Sequence, residues 1–90
     1  MIPKRRTPSH PGEILLHEFL EPLGMSQSEL ARRIQVPIQR INTLINGKRG
    51  ISAETALLFE KEFGTTPEFW MNLQSSYDLY QASQKLQKAT

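Results

Sequence analysis

Apolar residues recur along the chain at intervals of three and four, and no stretch alternates with period two for long, so the pattern predicts helices and no strands. The first helix opens at Pro11-Gly12, places Ile14, Leu15, Phe19 and Leu23 on its buried side, and breaks around Pro22-Leu23-Gly24. Ser26-Gln27-Ser28-Glu29 then reads as a capping box, in which the Ser26 hydroxyl accepts from the Glu29 amide and the Glu29 carboxylate returns to the amide of Ser26. Met25 and Leu30 flank that cap with the spacing of a hydrophobic staple. This second helix ends near Ile34. A third begins at Pro37, where a missing N–H is harmless, and runs to Asn46, with Gly47 as its stop. Ser52 caps a fourth that ends at Phe63-Gly64, and Thr66-Pro67-Glu68 opens a fifth running towards Leu86.

The expected fold is therefore all-α, a single five-helix domain over residues 8–86. Its centre is a helix-turn-helix at about 26–46, its C-terminal helix covers about 67–86, and residues 1–7 and 87–90 are expected to be flexible tails. Ninety residues suffice for one core, which buries roughly two thirds of the unfolded surface without staples. The absence of Cys excludes disulfide scaffolds and Cys-liganded zinc modules. No apolar run approaches the ~20 residues that span a bilayer, and Met1–Arg6 leads into no signal-peptide run, so a cytoplasmic protein is expected.

Only Gln35 and Val36 separate the second and third helices, which forces them to cross steeply, as in a helix-turn-helix. Stepping about 100° per residue, the apolar side of the third helix is Ile41, Leu44 and Ile45, with Ile38 at its border. The opposite side carries Gln39, Thr43 and Asn46, flanked by Arg40 and Asn42. An ordinary solvated face would show Glu and Lys. A base-reading face needs groups that donate and accept: Asn or Gln for adenine, Arg for guanine, Thr for either partner or for a thymine methyl.

Charge sharpens this picture by position, since the formal net charge is only +2. Residues 1–6 carry +3, residues 7–29 carry −4, residues 30–49 carry +5 and residues 50–90 carry −2. No acid lies between Glu29 and Glu54, while Arg32, Arg33, Arg40, Lys48 and Arg49 all fall there. Lys48 and Arg49 follow the third helix and Arg32 and Arg33 end the second, positions from which they meet phosphates if the face reads bases. Gln27, at the positive end of the second helix, is placed to hold a phosphate together with exposed backbone N–H groups. On the pattern alone, a small bundle whose third helix is merely polar outside stays open.

The segment Met25-Ser-Gln-Ser-Glu-Leu-Ala-Arg-Arg-Ile-Gln-Val-Pro-Ile-Gln-Arg-Ile-Asn-Thr-Leu-Ile-Asn-Gly-Lys-Arg-Gly50 resembles the Xre, or phage-repressor-like, helix-turn-helix. His10-Pro-Gly-Glu-Ile-Leu-Leu16 before it, and Gly50-Ile-Ser-Ala-Glu-Thr-Ala-Leu57 and Phe63-Gly-Thr-Thr-Pro-Glu-Phe-Trp-Met-Asn-Leu-Gln74 after it, are similar to the HigA (VapI) antitoxins. The resemblance implies a phage-repressor-like DNA-binding domain acting as a type II antitoxin. Such proteins bind a RelE-like mRNA endonuclease toxin and, as dimers on palindromic double-stranded operator DNA, repress their own operon. It further implies base reading by Ile38, Gln39, Arg40 and Thr43. Gln27 and Asn46 match the family's phosphate-holding Gln and Asn, and Arg32, Arg33, Asn42, Lys48 and Arg49 complete the expected phosphate set. One departure is Gln35, which stands where the family's turn usually has Gly; a non-Gly residue in a left-handed turn is strained by roughly 1 kcal/mol. A stand-alone Xre-type transcriptional regulator is the alternative, and a protein-binding adaptor without DNA affinity the third.

The remaining residues have plainer expectations. Trp70, Phe69, Leu73 and Tyr77 are expected in the core, and Tyr77, Leu79, Tyr80 and Leu86 along a dimer seam. Leu58 points away from the side defined by Ala56, Phe59 and Phe63, which makes it a candidate subunit contact. His10 and His17 read as surface or capping groups. His17-Glu18-Phe19-Leu20-Glu21 lacks the second His of a zinc-protease helix, so no metal is expected. Gly47-Lys48 is no phosphate loop, because Asn42 stands where the first Gly belongs and Arg49 where Ser or Thr belongs. Neither a catalytic set nor a cofactor site can be assembled, and no enzyme is expected. Lys4-Arg5-Arg6 fits a solubilising tail or an arm on DNA or toxin, and the sequence does not choose.

Overall fold

A computed structural model of the chain describes residues 7–89, and Lys4-Arg5-Arg6 lies outside them. Helices follow in the order α1 (residues 11–23), α2 (Gln27–Ile34), α3 (Ile38–Ile45), α4 (Ala53–Phe63) and α5 (Pro67–Ala89), and no strand occurs among the described residues. Helix α1 widens in its middle into a π-helical stretch, Leu15–Leu20, where the Glu21 amide reaches back to the Leu16 carbonyl. The cause is two residues on: Pro22 has no N–H to continue the α ladder, and its ring opposes the carbonyl of Glu18, so a wider turn relieves the conflict. The extra residue shifts the buried register. Leu15 and Leu20 are both fully buried, whereas Leu23, expected inside on regular spacing, is 60% exposed.

The caps explain where each helix starts. His10 Nδ1 accepts the Gly12 amide at 2.9 Å and caps α1 from a buried position rather than from the surface. Ser26 Oγ accepts the Glu29 amide at 3.0 Å, but the Glu29 carboxylate turns forward to Arg33 at 3.4 Å instead of back to Ser26. Pro37 stands one residue outside α3 as its N-cap, with extended backbone (φ −61°, ψ 144°), because the chain is still turning there. The turn is thus Gln35-Val36-Pro37, one residue longer than the sequence suggested. Ser52 Oγ takes the Thr55 amide at 3.2 Å and Thr66 Oγ1 the Phe69 amide at 3.2 Å, starting α4 and α5. Helix α5 continues to Ala89, past Leu86, since no Gly or Pro stops it and Lys88 suits its negative end.

The core gathers Leu15, Leu20, Leu30, Ile41, Leu44, Phe59 and Trp70. Trp70 is fully enclosed; its indole N–H donates to Thr65 Oγ1 at 2.7 Å, which removes the cost of burying a polar tip. Its ring packs against Phe59 at 4.8 Å and Phe19 at 5.1 Å between centroids. Phe69 sits at the rim of this cluster and Leu73 packs on its side. Leu58 is half-buried against the core, and the exposed leucine on α4 is its neighbour Leu57. The buried residues of α4 include Thr55 as well as Ala56 and Phe59, and Leu58 lies at the edge of the core beside Ile34 and Gln35 at the end of α2. Leu58 therefore does not point directly away from the core.

Candidate nucleic-acid interface

The two helices of the motif are joined by a left-handed residue. Gln35 has φ 60° and ψ 49° and ends α2, with the Val36 amide bonded to the Ala31 carbonyl at 3.0 Å. This is the Schellman pattern, in which the residue after the helix adopts positive φ and Gly is usual. Gln35 accepts that geometry, so the turn keeps its shape. At its far end α3 is braced by α1: a Cβ on Gly12 would run into the Leu44 carbonyl, so the α1 backbone rests directly on the last turn of α3.

Helix α3 buries Ile41 and Leu44 and turns Gln39 outward. Asn46, its C-cap, is exposed as well. Thr43 lies half-buried beside them; its hydroxyl donates to the Gln39 carbonyl at 2.7 Å, so only its acceptor lone pairs and its methyl group remain for a partner. Asn42 is half-buried on the flank. Ile38, expected among the base readers, is half-buried against the core and offers at most an apolar edge. Arg40 is held from the side: its guanidinium donates to Thr55 Oγ1 at 3.0 Å and pairs with Glu54 at 3.0 Å. Both bonds are made by Nη2, which leaves Nη1 and Nε of Arg40 for a base contact.

The expected phosphate ligands also divide. The side chains of Arg32, Lys48 and Arg49 are exposed, and among the described residues they make no ion pair. Gln27 opens α2, half-buried beside the free amides of its first turn. Arg33 is turned towards α4, where its Nε donates to Glu62 at 2.7 Å; the bond and charge of Glu62 raise its pKa above the ordinary guanidinium value, with a smaller contribution from Glu29. A free cation at the end of α2 is thus Arg32, whereas Arg33 ties α2 to α4. The spacing of Arg32 and Arg33 gave no sign of this, since Glu62 lies 29 residues on.

Two partners were invisible to sequence patterning for the same reason: Glu54 and Glu62 act on the motif from α4. The residues expected along a dimer seam differ in their surroundings. Leu79 and Leu86 are exposed on one side of α5. Tyr77 instead packs edge-on against His10 with centroids 4.8 Å apart, and the Tyr80 hydroxyl accepts from Thr7 Oγ1 at 3.0 Å. Those two aromatic residues secure the start of the described chain. Among the described residues, no group of His, Cys, Asp or Glu is arranged to hold a metal, and no helix is long and apolar enough to cross a membrane.

Comparison with known proteins agrees with this geometry. The family described as helix-turn-helix matches residues 16–70. Virulence-associated protein I of Dichelobacter nodosus is 45% identical over 78 residues, which are 87% of this chain and 72% of the relative. An uncharacterized HTH-type transcriptional regulator of Escherichia coli K12, YbaQ, is 41% identical over 81 residues, covering 90% of this chain and 72% of that one. Among solved structures, Pseudomonas aeruginosa antitoxin HigA with the higBA promoter superposes with a TM-score of 0.87 at 43% identity, over 91% of this chain and 89% of HigA. The chain belongs to the Xre-like helix-turn-helix family, which includes the HigA antitoxins and HTH-type transcriptional regulators.

Proposed function

We propose that this protein is the antitoxin of a type II toxin-antitoxin system, a homodimer that represses its own operon on palindromic operator DNA and neutralises a RelE-like mRNA endonuclease. The observation that carries the DNA-binding half is the outer face of α3, with Gln39, Thr43 and Asn46 and no acid, bordered by the exposed cations Arg32, Lys48 and Arg49. In this reading Gln39 and Thr43, with Ile38 and Arg40 at the flanks, read bases. Gln27, Arg32, Asn42, Asn46, Lys48 and Arg49 hold phosphates, and Arg33 joins them only by leaving Glu62. One α3 reads only a few base pairs, so specificity comes from two copies ~34 Å apart in successive major grooves. Resemblance to HigA supports the antitoxin half, and Glu13, Glu18 and Glu21, exposed along α1, leave an acidic side available to a basic toxin. The protein works in the cytoplasm, on the nucleoid when bound to DNA.

Two measurements test the proposal. Binding to the chain's own upstream region, followed against salt, falls by roughly three decades or more between 50 and 200 mM if 6–10 phosphates are contacted. Co-expression with the protein encoded beside it rescues growth from that protein's toxicity. Operator binding without rescue indicates the stand-alone Xre-type regulator, the reading favoured by the likeness to YbaQ. Failure to bind any DNA at low salt indicates the adaptor.

A further inference from the structure

Lys48 and Arg49 sit on the short connection between α3 and α4, and that connection is gripped from α5. Gln74 Oε1 accepts the Ile51 amide at 2.7 Å. The same side chain lies so close over Gly50 that a Cβ there would stand 2.7 Å from its Oε1 and 2.8 Å from its Cδ. One turn further along α5, Asp78 Oδ1 accepts from Gln74 Nε2 at 2.9 Å, which fixes the amide with its oxygen towards the loop. The other end of the connection is held too, since the Lys48 amide bonds to the Thr43 carbonyl at 2.9 Å and Gly47 turns the chain at φ 75°. Ile51 itself is buried in the core. The two cations therefore project from a few residues of backbone pinned at both ends.

We propose that Gln74 is a positioning residue for DNA binding: from α5 it sets the backbone on which Lys48 and Arg49 meet the phosphates. The role rests on the DNA-binding reading above. An apolar side chain of similar volume fills the same space but leaves the Ile51 N–H without its partner, and a backbone donor deprived of its partner favours another loop geometry. The consequence is specific. Phosphate contacts shape affinity and salt dependence for every sequence alike, whereas base preference belongs to the outer face of α3. Disturbing Gln74 changes the first and spares the second.

The test is a salt titration of DNA binding by the full chain, on operator and on unrelated duplex, with Gln74→Ala, Gly50→Ala, the pair combined, and Gln74→Glu with Asp78→Asn. Gln74→Ala is expected to weaken both duplexes by the same factor and to lower the salt slope by about 1 to 2, about one for each phosphate that is released. Gly50→Ala pushes the Gln74 side chain away from the loop side and gives the same slope, and the combination adds nothing further. The double exchange Gln74→Glu, Asp78→Asn restores an acceptor for Ile51 and a donor beside it, and returns the wild-type slope. Hydrogen exchange at the Ile51 amide of the free protein speeds up in Gln74→Ala and recovers in the double exchange. A wild-type slope in Gln74→Ala overturns the proposal, as does failure of the Gln74→Glu, Asp78→Asn pair to restore it. Should Gln74→Ala not fold, Gly50→Ala poses the same question without altering α5, and an unchanged slope there overturns it equally. If the unaltered chain binds no DNA, both this role and the DNA-binding reading fall; if it binds and only the slope in the variants stays unchanged, this role falls alone.

Discussion

Arg40 and Glu54 form a salt bridge at 3.0 Å that ties the one charged side chain of α3 to the first turn of α4. The carboxylate is well exposed, so the pair contributes little to stability, on the order of 0.2–1 kcal/mol. If the outer face of α3 reads bases as proposed, its larger effect is on binding, because it neutralises a cation beside that face and places an acid near the approaching phosphates. Glu54→Ala is expected to change thermal stability only slightly, to tighten operator binding, and to steepen the salt slope by about 1 as Arg40 becomes free. Affinity measured by anisotropy over a range of salt checks this. A loss of affinity would instead identify Glu54 as the group that holds Arg40 in its reading orientation.

In the proposed DNA-binding reading, Gln39 and Lys48 separate the two ways of touching DNA. Gln39 stands exposed on the outer face of α3, and Lys48 lies beyond the helix on the pinned connection. Gln39→Ala is expected to cost about 1–3 kcal/mol on the preferred operator and to relax preference at one base position. Lys48→Ala weakens every duplex alike and lowers the salt slope by about 1. Gel shifts with singly substituted operators resolve the difference, and unchanged preference in Gln39→Ala removes that residue from the reading face.

What sequence reasoning could see follows from the range of the physics involved. Ser26, Ser52 and Thr66 each cap an amide three residues on, and Gly64 ends α4 in the left-handed region, so those boundaries were legible from neighbours alone. The outward direction of Gln39 followed from helical spacing. Leu23 was misplaced because the π turn ahead of Pro22 breaks that spacing, and Leu58 because the side of α4 that faces α2 is set by tertiary packing. The pairing of Arg33 with Glu62, of Arg40 with Glu54 and of Ile51 with Gln74 depends on how distant helices meet. No local pattern carries that information.

Gln35 offers a stability test inside the motif. It occupies the left-handed region with φ 60°, where a side chain with a Cβ is disfavoured by about 1 kcal/mol or more. Glycine relieves that strain but loses more chain entropy on folding, so Gln35→Gly is expected to stabilise by about 0.5 kcal/mol, or a few degrees in Tm for a domain of this size. Gln35→Val goes the other way, since a β-branched residue tolerates positive φ least. Thermal unfolding followed by circular dichroism orders the three proteins. Equal melting of the wild type and Gln35→Val would mean that the turn relaxes out of the left-handed region.

His10 predicts a pH dependence. Burial pushes its pKa below the usual 6.5, against smaller opposing effects of Glu13 and Asp78, and its Nδ1 must stay unprotonated to accept the Gly12 amide. The unfolded chain therefore binds a proton more readily than the folded one. The contribution of His10 is complete above about 6.5, the unfolded value, and declines as the pH falls from there through the folded pKa. His17 acts with the opposite sign, because Glu21 raises its pKa, but it is exposed and screened by solvent. Asparagine at position 10 retains an acceptor that caps α1 and does not titrate. The stability difference between wild type and His10→Asn should thus shrink towards acid between pH 7 and 5. A constant difference would show that His10 takes up its proton alike in the folded and unfolded chain, so that burial does not lower its pKa.

Leu79 and Leu86 are seven residues apart on α5, which places them on one side of the helix, with exposed Ala82 between them. Tyr77 and Tyr80 lie on the other side, already engaged with His10 and Thr7. If two copies pair through α5, the seam is the leucine side, and the tyrosines contribute only by keeping the helix in place. Combining Leu79→Glu with Leu86→Glu sets like charges against each other across such a seam and is expected to give a monomer in sedimentation equilibrium. Operator affinity then falls much further than affinity for an isolated half-site, because only the dimer spans successive grooves. Tyr80→Phe, which removes the bond to Thr7 but no apolar surface, leaves the dimer intact. A dimer that survives both glutamates would move the two-fold contact away from α5, and Leu57, 52% exposed on α4, would be the next surface to alter.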